Sequence, residues 1–129
     1  MPGADREGIF LFGLLHDCRC QDDGADLSHG SRAATAAVSF MEKGSIDLES
    51  NRMALLTKAL SEHTFGLAGN DPTICCCWDV DRYDVLRIFD MLKPSLLSYP
   101  DIATQERLDA AFYKQDPIEQ SWAELLEQF

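Results

Sequence analysis

The sequence predicts an all-α fold, a compact helical bundle of about five to six helices, on three observations. Apolar residues recur at three- and four-residue spacing, with almost no alternating stretch from which a half-buried strand could be built. Aspartate followed by proline, a helix-opening pair, occurs twice, at Asp71-Pro72 and Asp116-Pro117. An alanine-rich segment is closed by Gly44 where a helix would stop. In order, Asp5 is a candidate N-cap for a helix to about Asp17, apolar at nearly every step from Ile9 to Leu15 and therefore expected at the centre. Arg19 to Gly30 reads as a polar loop. A second helix is expected from Ser31 to about Lys43, its small side chains suited to close packing. Asp47 is the expected cap of a third, through about His63, with Met53, Leu56, Leu60 and His63 on one stripe. Asp71-Pro72 opens a fourth to about Leu92. Asp101 precedes a segment from Ile102 to about Tyr113, and Asp116-Pro117 with Glu119 forms a capping box for a last helix to Gln128.

A chain of 129 residues is one domain, residues 1–129, large enough to bury about two-thirds of the surface exposed by its unfolded form. No apolar run approaches the ~20 residues needed to cross a bilayer, and Ile9–Leu15 lacks the flanks of a signal peptide, so a soluble, cytoplasmic protein without a membrane partner is expected. The net charge of -11 excludes a binder of duplex nucleic acid, which needs clustered Lys and Arg, and favours bound cations. The five cysteines fall at Cys18, Cys20 and Cys75-Cys76-Cys77. Adjacent helical residues diverge by about 100°, so the run of three cannot converge on one zinc ion and reads as small buried hydrophobes. Trp78 reads as core.

Chemistry concentrates in the pair His16-Asp17, which closes the first apolar run. Consecutive helical residues point about 100° apart, so both can lean toward one ion if other helices supply further ligands. His29 and His63 also lie at predicted helix ends, where side chains from several helices meet in a bundle. The fourth helix carries Asp79, Asp81 and Asp84; Asp81 and Asp84 share a face, whereas Asp79 lies about 200° from Asp81.

Leu14-Leu15-His16-Asp17, Asp22-Asp23-Gly24 with His29-Gly30 and Ala33-Ala34, His63-Thr64 with Gly66, then Asp71-Pro72-Thr73-Ile74 and Cys77-Trp78-Asp79-Val80-Asp81-Arg82 occur in that order. The set resembles the HD-domain superfamily of metal-dependent phosphohydrolases, in particular its small bacterial members. The likeness covers about residues 5 to 100, leaving 101–129 as a C-terminal helical extension. It implies metal ligation by His16, Asp17 and Asp81, with His29 and His63 on a second ion, and Asp17 as the catalytic group. Where some relatives carry two adjacent histidines, this chain has Glu62-His63. It also implies an earlier histidine on a preceding helix. Fifteen residues precede the doublet here and none is histidine. Two expectations stay open: a true start upstream of Met1, or a domain lacking that helix, with Ile9, Phe10, Phe12 and Leu14 exposed for a second copy of the chain.

Mixed His and carboxylate ligation suits manganese, iron, magnesium, cobalt or nickel better than a closed structural zinc site. Such an ion polarises a phosphoryl oxygen and acidifies water. Asp17 would orient that water, and Arg19 and Arg82 are the nearest candidates to hold the phosphate of a small phosphorylated substrate. The expected function is hydrolysis of a phosphomonoester or nucleotide. The alternative is a non-catalytic interaction or regulatory domain that dimerises.

Overall fold

A computed structural model describes residues 3–22, 26–67, 69–85 and 94–100. They form helices α1 (Arg6–Leu15), α2 (His29–Glu42), α3 (Ser50–Glu62) and α4 (Pro72–Val85), followed by a single 3₁₀ turn over Pro94–Leu96. No strand occurs among the described residues, so the bundle is all-α, and these residues hold four α-helices of the five to six expected. The helices expected at 102–113 and 117–128, and the end of the fourth beyond Val85, lie outside the described residues.

The caps explain where the elements begin and stop. Asp71 Oδ1 accepts the backbone N–H of Thr73 at 2.8 Å, satisfying a donor that the first turn of α4 leaves open, while Pro72 has none to satisfy. Gly44, at φ +72°, ends α2: its N–H reaches Met41 O at 2.9 Å and the Ser45 N–H reaches Phe40 O at 2.8 Å. This paired wrap needs a left-handed residue, which glycine supplies without a Cβ clash. Two starts differ from expectation. Helix α2 begins at His29, two residues early, because the turn 26–28 already delivers the chain in helical register, with Arg32 N donating to Ser28 O. Helix α3 begins at Ser50 with Glu49 at the N-cap, and Asp47 stays exposed before it.

The core gathers Phe12 and Leu15 of α1, Ala33 and Ala37 of α2, Met53, Leu56, Ala59 and Leu60 of α3, and Ile74, Cys77 and Trp78 of α4. Helix α3 touches all three others and is the central one. Helix α1, expected there from its continuous apolar run, buries only the stripe Gly8, Phe12 and Leu15 and leaves Phe10 and Leu14 about 60% exposed. Phe12, expected on the open face, is fully buried; positions 8, 12 and 15 share one side of a helix, and 10 and 14 another. Trp78 donates its indole N–H to Ala59 O at 3.0 Å, so a large ring enters the core with its one polar atom satisfied. Cys75, Cys76 and Cys77 are buried as expected, and burial pushes the Cys77 thiol up to about 12.

Arg52 of α3 ties the start of α1 by donating to both carboxylate oxygens of Asp5 at 2.7 Å and to Glu7 at 2.7 Å. The guanidinium holds Asp5 below the usual carboxylate range. Asp5 therefore occupies the N-cap position while its carboxylate serves a bridge between helices. No helix of the described residues is long and apolar enough to cross a membrane.

Candidate metal centre

Three helix ends meet at one point. His16 is the C-cap of α1, His29 the first residue of α2 and His63 the C-cap of α3, and each ring is aimed by its own backbone. Nδ1 of His16 lies 3.1 Å from Gly13 O, that of His63 lies 2.8 Å from Leu60 O, and that of His29 contacts Asp26 O. A carbonyl oxygen only accepts, so in all three rings Nδ1 carries the hydrogen, and Nε2 of the neutral ring presents a lone pair. That lone pair points into the meeting point of the helices. Asp17 lies in the turn after α1 rather than on the helix, its backbone O accepting the Cys20 N–H at 2.9 Å.

Nε2 of His29 stands 2.7 Å from Nε2 of His63 and 3.3 Å from Asp17 Oδ1. Ligand atoms of Asp17, His29 and His63 all lie within 4.8 Å of one another, a group able to hold a metal ion. On the other side of the Asp17 carboxylate, Nε2 of His16 lies 3.3 Å from its Oδ2 and 3.6 Å from Asp81 Oδ1. Asp17 thus presents one oxygen to each side of the cluster. All five residues that the sequence singles out as ligands come together, from the ends of three helices and from the body of α4.

The donor set fits a cation on chemical grounds. Two Nε2 lone pairs facing each other at 2.7 Å repel unless one ring is protonated or a cation draws on both. Protonation of His63 is opposed by its surroundings: burial pushes its pKa below the ordinary imidazole value, outweighing the pull of Asp81. Asp81 is shifted the other way, its carboxyl held above the usual range by burial, against the nearby His63 and His16. A divalent ion relieves both, by satisfying the lone pairs and compensating the buried carboxylate. Each Nδ1 contact to a carbonyl also fixes tautomer and ring orientation, the role an outer partner plays for a metal-ligating histidine.

Packing holds the rings in place. Phe12 stacks on His16 with centroids 5.3 Å apart and meets His63 edge-on at 5.8 Å. Gly30, next to His29, lets α2 approach α3 so closely that a Cβ there would stand 2.5 Å from Leu60 O and 3.1 Å from His63 Nδ1. Only a glycine allows that approach.

Asp17, His29, His63 and Asp81 line one side of a cleft of about 420 Å³, whose other walls come from Thr64, Phe65, Gly66, Leu67, Arg82 and Leu96. The two arginines proposed for the phosphate stand differently toward this cleft. Arg19 does not line this cleft; it borders a separate hollow beside Cys18 and Cys20, and its backbone O accepts from Arg32. Arg82 does line the cleft, but its guanidinium donates to Gly66 O and, at 2.6 Å, to Leu96 O, and sits 3.6 Å from Asp79 Oδ1. Asp79, 200° away from Asp81 around the helix, is buried and accepts the backbone N–H groups of Ser98 and Tyr99 at 2.8 and 3.0 Å. Asp79 and Arg82 together fasten residues 94–100 beside the site, a role that spacing on α4 gives no sign of. The apolar wall residues Phe65 and Leu67 are likewise not singled out from sequence, since a short apolar stretch after a helix carries no periodic signal. Compared with protein-family models, curated proteins and solved structures, the chain matches none.

Proposed function

We propose that this protein is an HD-type, divalent-metal-dependent phosphohydrolase acting on a phosphomonoester or nucleotide. The observation that carries the reading is the convergence of the His16, His29 and His63 Nε2 atoms with Asp17 and Asp81 beside an open cleft that all of these but His16 line. His29 and His63 would hold one ion and His16 and Asp81 a second, with Asp17 spanning the two. Manganese, iron, magnesium, cobalt or nickel bound there supplies Lewis acidity to a phosphoryl oxygen and acidifies a water for attack. Asp17 is the one ligand whose side chain is mostly open, at 60% exposure, so its carboxylate can orient the attacking water and accept its proton. Attack by that water oxygen would form a new P–O bond and break the ester P–O bond, and the departing alkoxide would leave as the alcohol with the proton that Asp17 took from the water.

The test joins metal analysis to turnover. Protein purified without chelator is expected to carry a transition metal, and to hydrolyse p-nitrophenyl phosphate or a nucleoside monophosphate with added manganese, cobalt or nickel. Asp17→Asn is expected to abolish turnover. Absence of both bound metal and turnover would overturn the reading.

The second reading, a non-catalytic domain that dimerises, is favoured by the ridge on α1, where Phe10 and Leu14 stand exposed about Gly13, which no neighbouring atom covers. It predicts a dimer in light scattering that Leu14→Ser converts to monomer. A monomeric wild-type protein would remove it.

A further inference from the structure

Three large apolar side chains line one cleft and stay open to solvent: Phe65 at 62% exposure, Leu67 at 75% and Leu96 at 38%. Scattered surface hydrophobes need no explanation, but three around a metal-ligating floor form a patch with a use. The patch is built rather than loose. Phe65 and Gly66 both donate their N–H to Glu62 O, at 3.0 and 2.7 Å, which prolongs α3 into the wall. Gly66 lies flat on the Trp78 ring, with room for no Cβ. One guanidinium, that of Arg82, grips the carbonyls of Gly66 and Leu96 and so spans the two apolar walls.

The charge of the cleft narrows what can fill it. Among the described residues Arg82 is the one cation that lines it, and two of its N–H groups are engaged by those carbonyls, with Asp79 Oδ1 3.6 Å away. A substrate with further phosphates or carboxylates would meet on the walls a single guanidinium already engaged with two carbonyls, and would face a chain of net charge -11. A flat apolar group would instead cover exposed carbon on Phe65, Leu67 and Leu96 while its phosphate reached the histidines.

We infer that Phe65, with Leu67 and Leu96, forms the subsite for an aromatic leaving group, so that this site takes aryl-type phosphomonoesters and rejects small or polyanionic ones. The inference rests on the metal-centre reading above. Phe65 is the specificity-determining residue, and stacking on its ring gives an affinity ratio of about tenfold, equivalent to about 1.4 kcal/mol.

Phenylphosphonate and methylphosphonate, which carry the same head group and do not hydrolyse, are the probes. Calorimetric titration into the full chain loaded with manganese is expected to show phenylphosphonate binding about tenfold tighter. Phe65→Ala should erase that preference and leave methylphosphonate affinity unchanged, while Phe65→Trp should keep it. Since Phe65 is exposed, its truncation leaves the core intact. Equal affinity of the two probes for wild-type protein, or an equal loss of both in Phe65→Ala, would overturn the subsite while bound manganese upholds the centre. Failure to bind manganese and either probe would overturn both.

Discussion

Gly30→Ala tests whether the approach of α2 to α3 sets the geometry of the centre. The added Cβ would stand 2.5 Å from Leu60 O, a backbone atom that cannot swing aside, where ordinary contact begins at 3.4 Å. The helices must therefore separate by about 0.9 Å at this level. His29 rides on α2 next to Gly30, and its Nε2 is 2.7 Å from that of His63 on α3, so the same shift opens the ligand pair by a similar amount. Metal sites tolerate only about 0.2 Å in ligand distance. Two effects follow. Overpacking costs about 1–3 kcal/mol, which for a chain of this size lowers the melting temperature by about 3–12 °C in chelator. Manganese affinity falls about 10- to 100-fold, the scale of losing a partner that orients a ligand. Calorimetric melting and titration measure the two separately. Gly13→Ala is the control: nothing lies within 4 Å of its Cβ, so it should leave affinity unchanged and add about 0.5–1 kcal/mol from helix propensity. A Gly30→Ala protein with wild-type melting point and wild-type affinity would refute the argument.

Three further outcomes are expected. His63→Ala removes a donor from the Asp17, His29 and His63 group and should lower the metal content of purified protein, read by elemental analysis, with the helical circular dichroism retained. In chelator, the lowered pKa of His63 means that the unfolded chain takes up its proton near pH 6.5 while the folded chain does not, so this residue's contribution to stability falls as pH drops through 6.5. Asp81 acts in the opposite sense: its raised pKa gives a contribution present in acid and lost as pH rises above the ordinary carboxylate value, and pH-dependent melts of wild type against His63→Gln and Asp81→Asn separate the two. Asp79→Ala leaves the Ser98 and Tyr99 N–H groups without their acceptor at a cost of about 1–3 kcal/mol, and should speed proteolysis within 94–100.

Much of this architecture could be read from short-range chemistry. Asp71-Pro72 and Gly44 mark helix limits because a cap and a left-handed residue act within a few positions of themselves. Histidines at helix ends could be linked to one another because ends are where a bundle brings chains together. The misses are tertiary. The run from Ile9 to Leu15 shows no polar side, so only packing against α3 and α4 decides that Phe12 goes in while Phe10 and Leu14 stay out. Arg82 stands beside Asp81 on the cleft, but the carbonyls it grips lie 14 and 16 residues away, which no motif encodes. Asp47 is the better capping residue type, but α3 starts at Ser50 because Ile46 and Leu48 are drawn into the core first.

Each histidine is aimed by a carbonyl three residues back on its own chain segment. The orientation of each ring is therefore set by a contact local in sequence, and the tertiary fold supplies the meeting of the ends. A small chain can in this way assemble a multidentate centre without setting aside further buried polar residues as supports. It also makes the centre a recorder of helix rotation: a turn of any one helix about its axis swings one lone pair out of the cluster while the fold survives. Metal affinity should therefore respond to core substitutions that leave the melting point almost untouched.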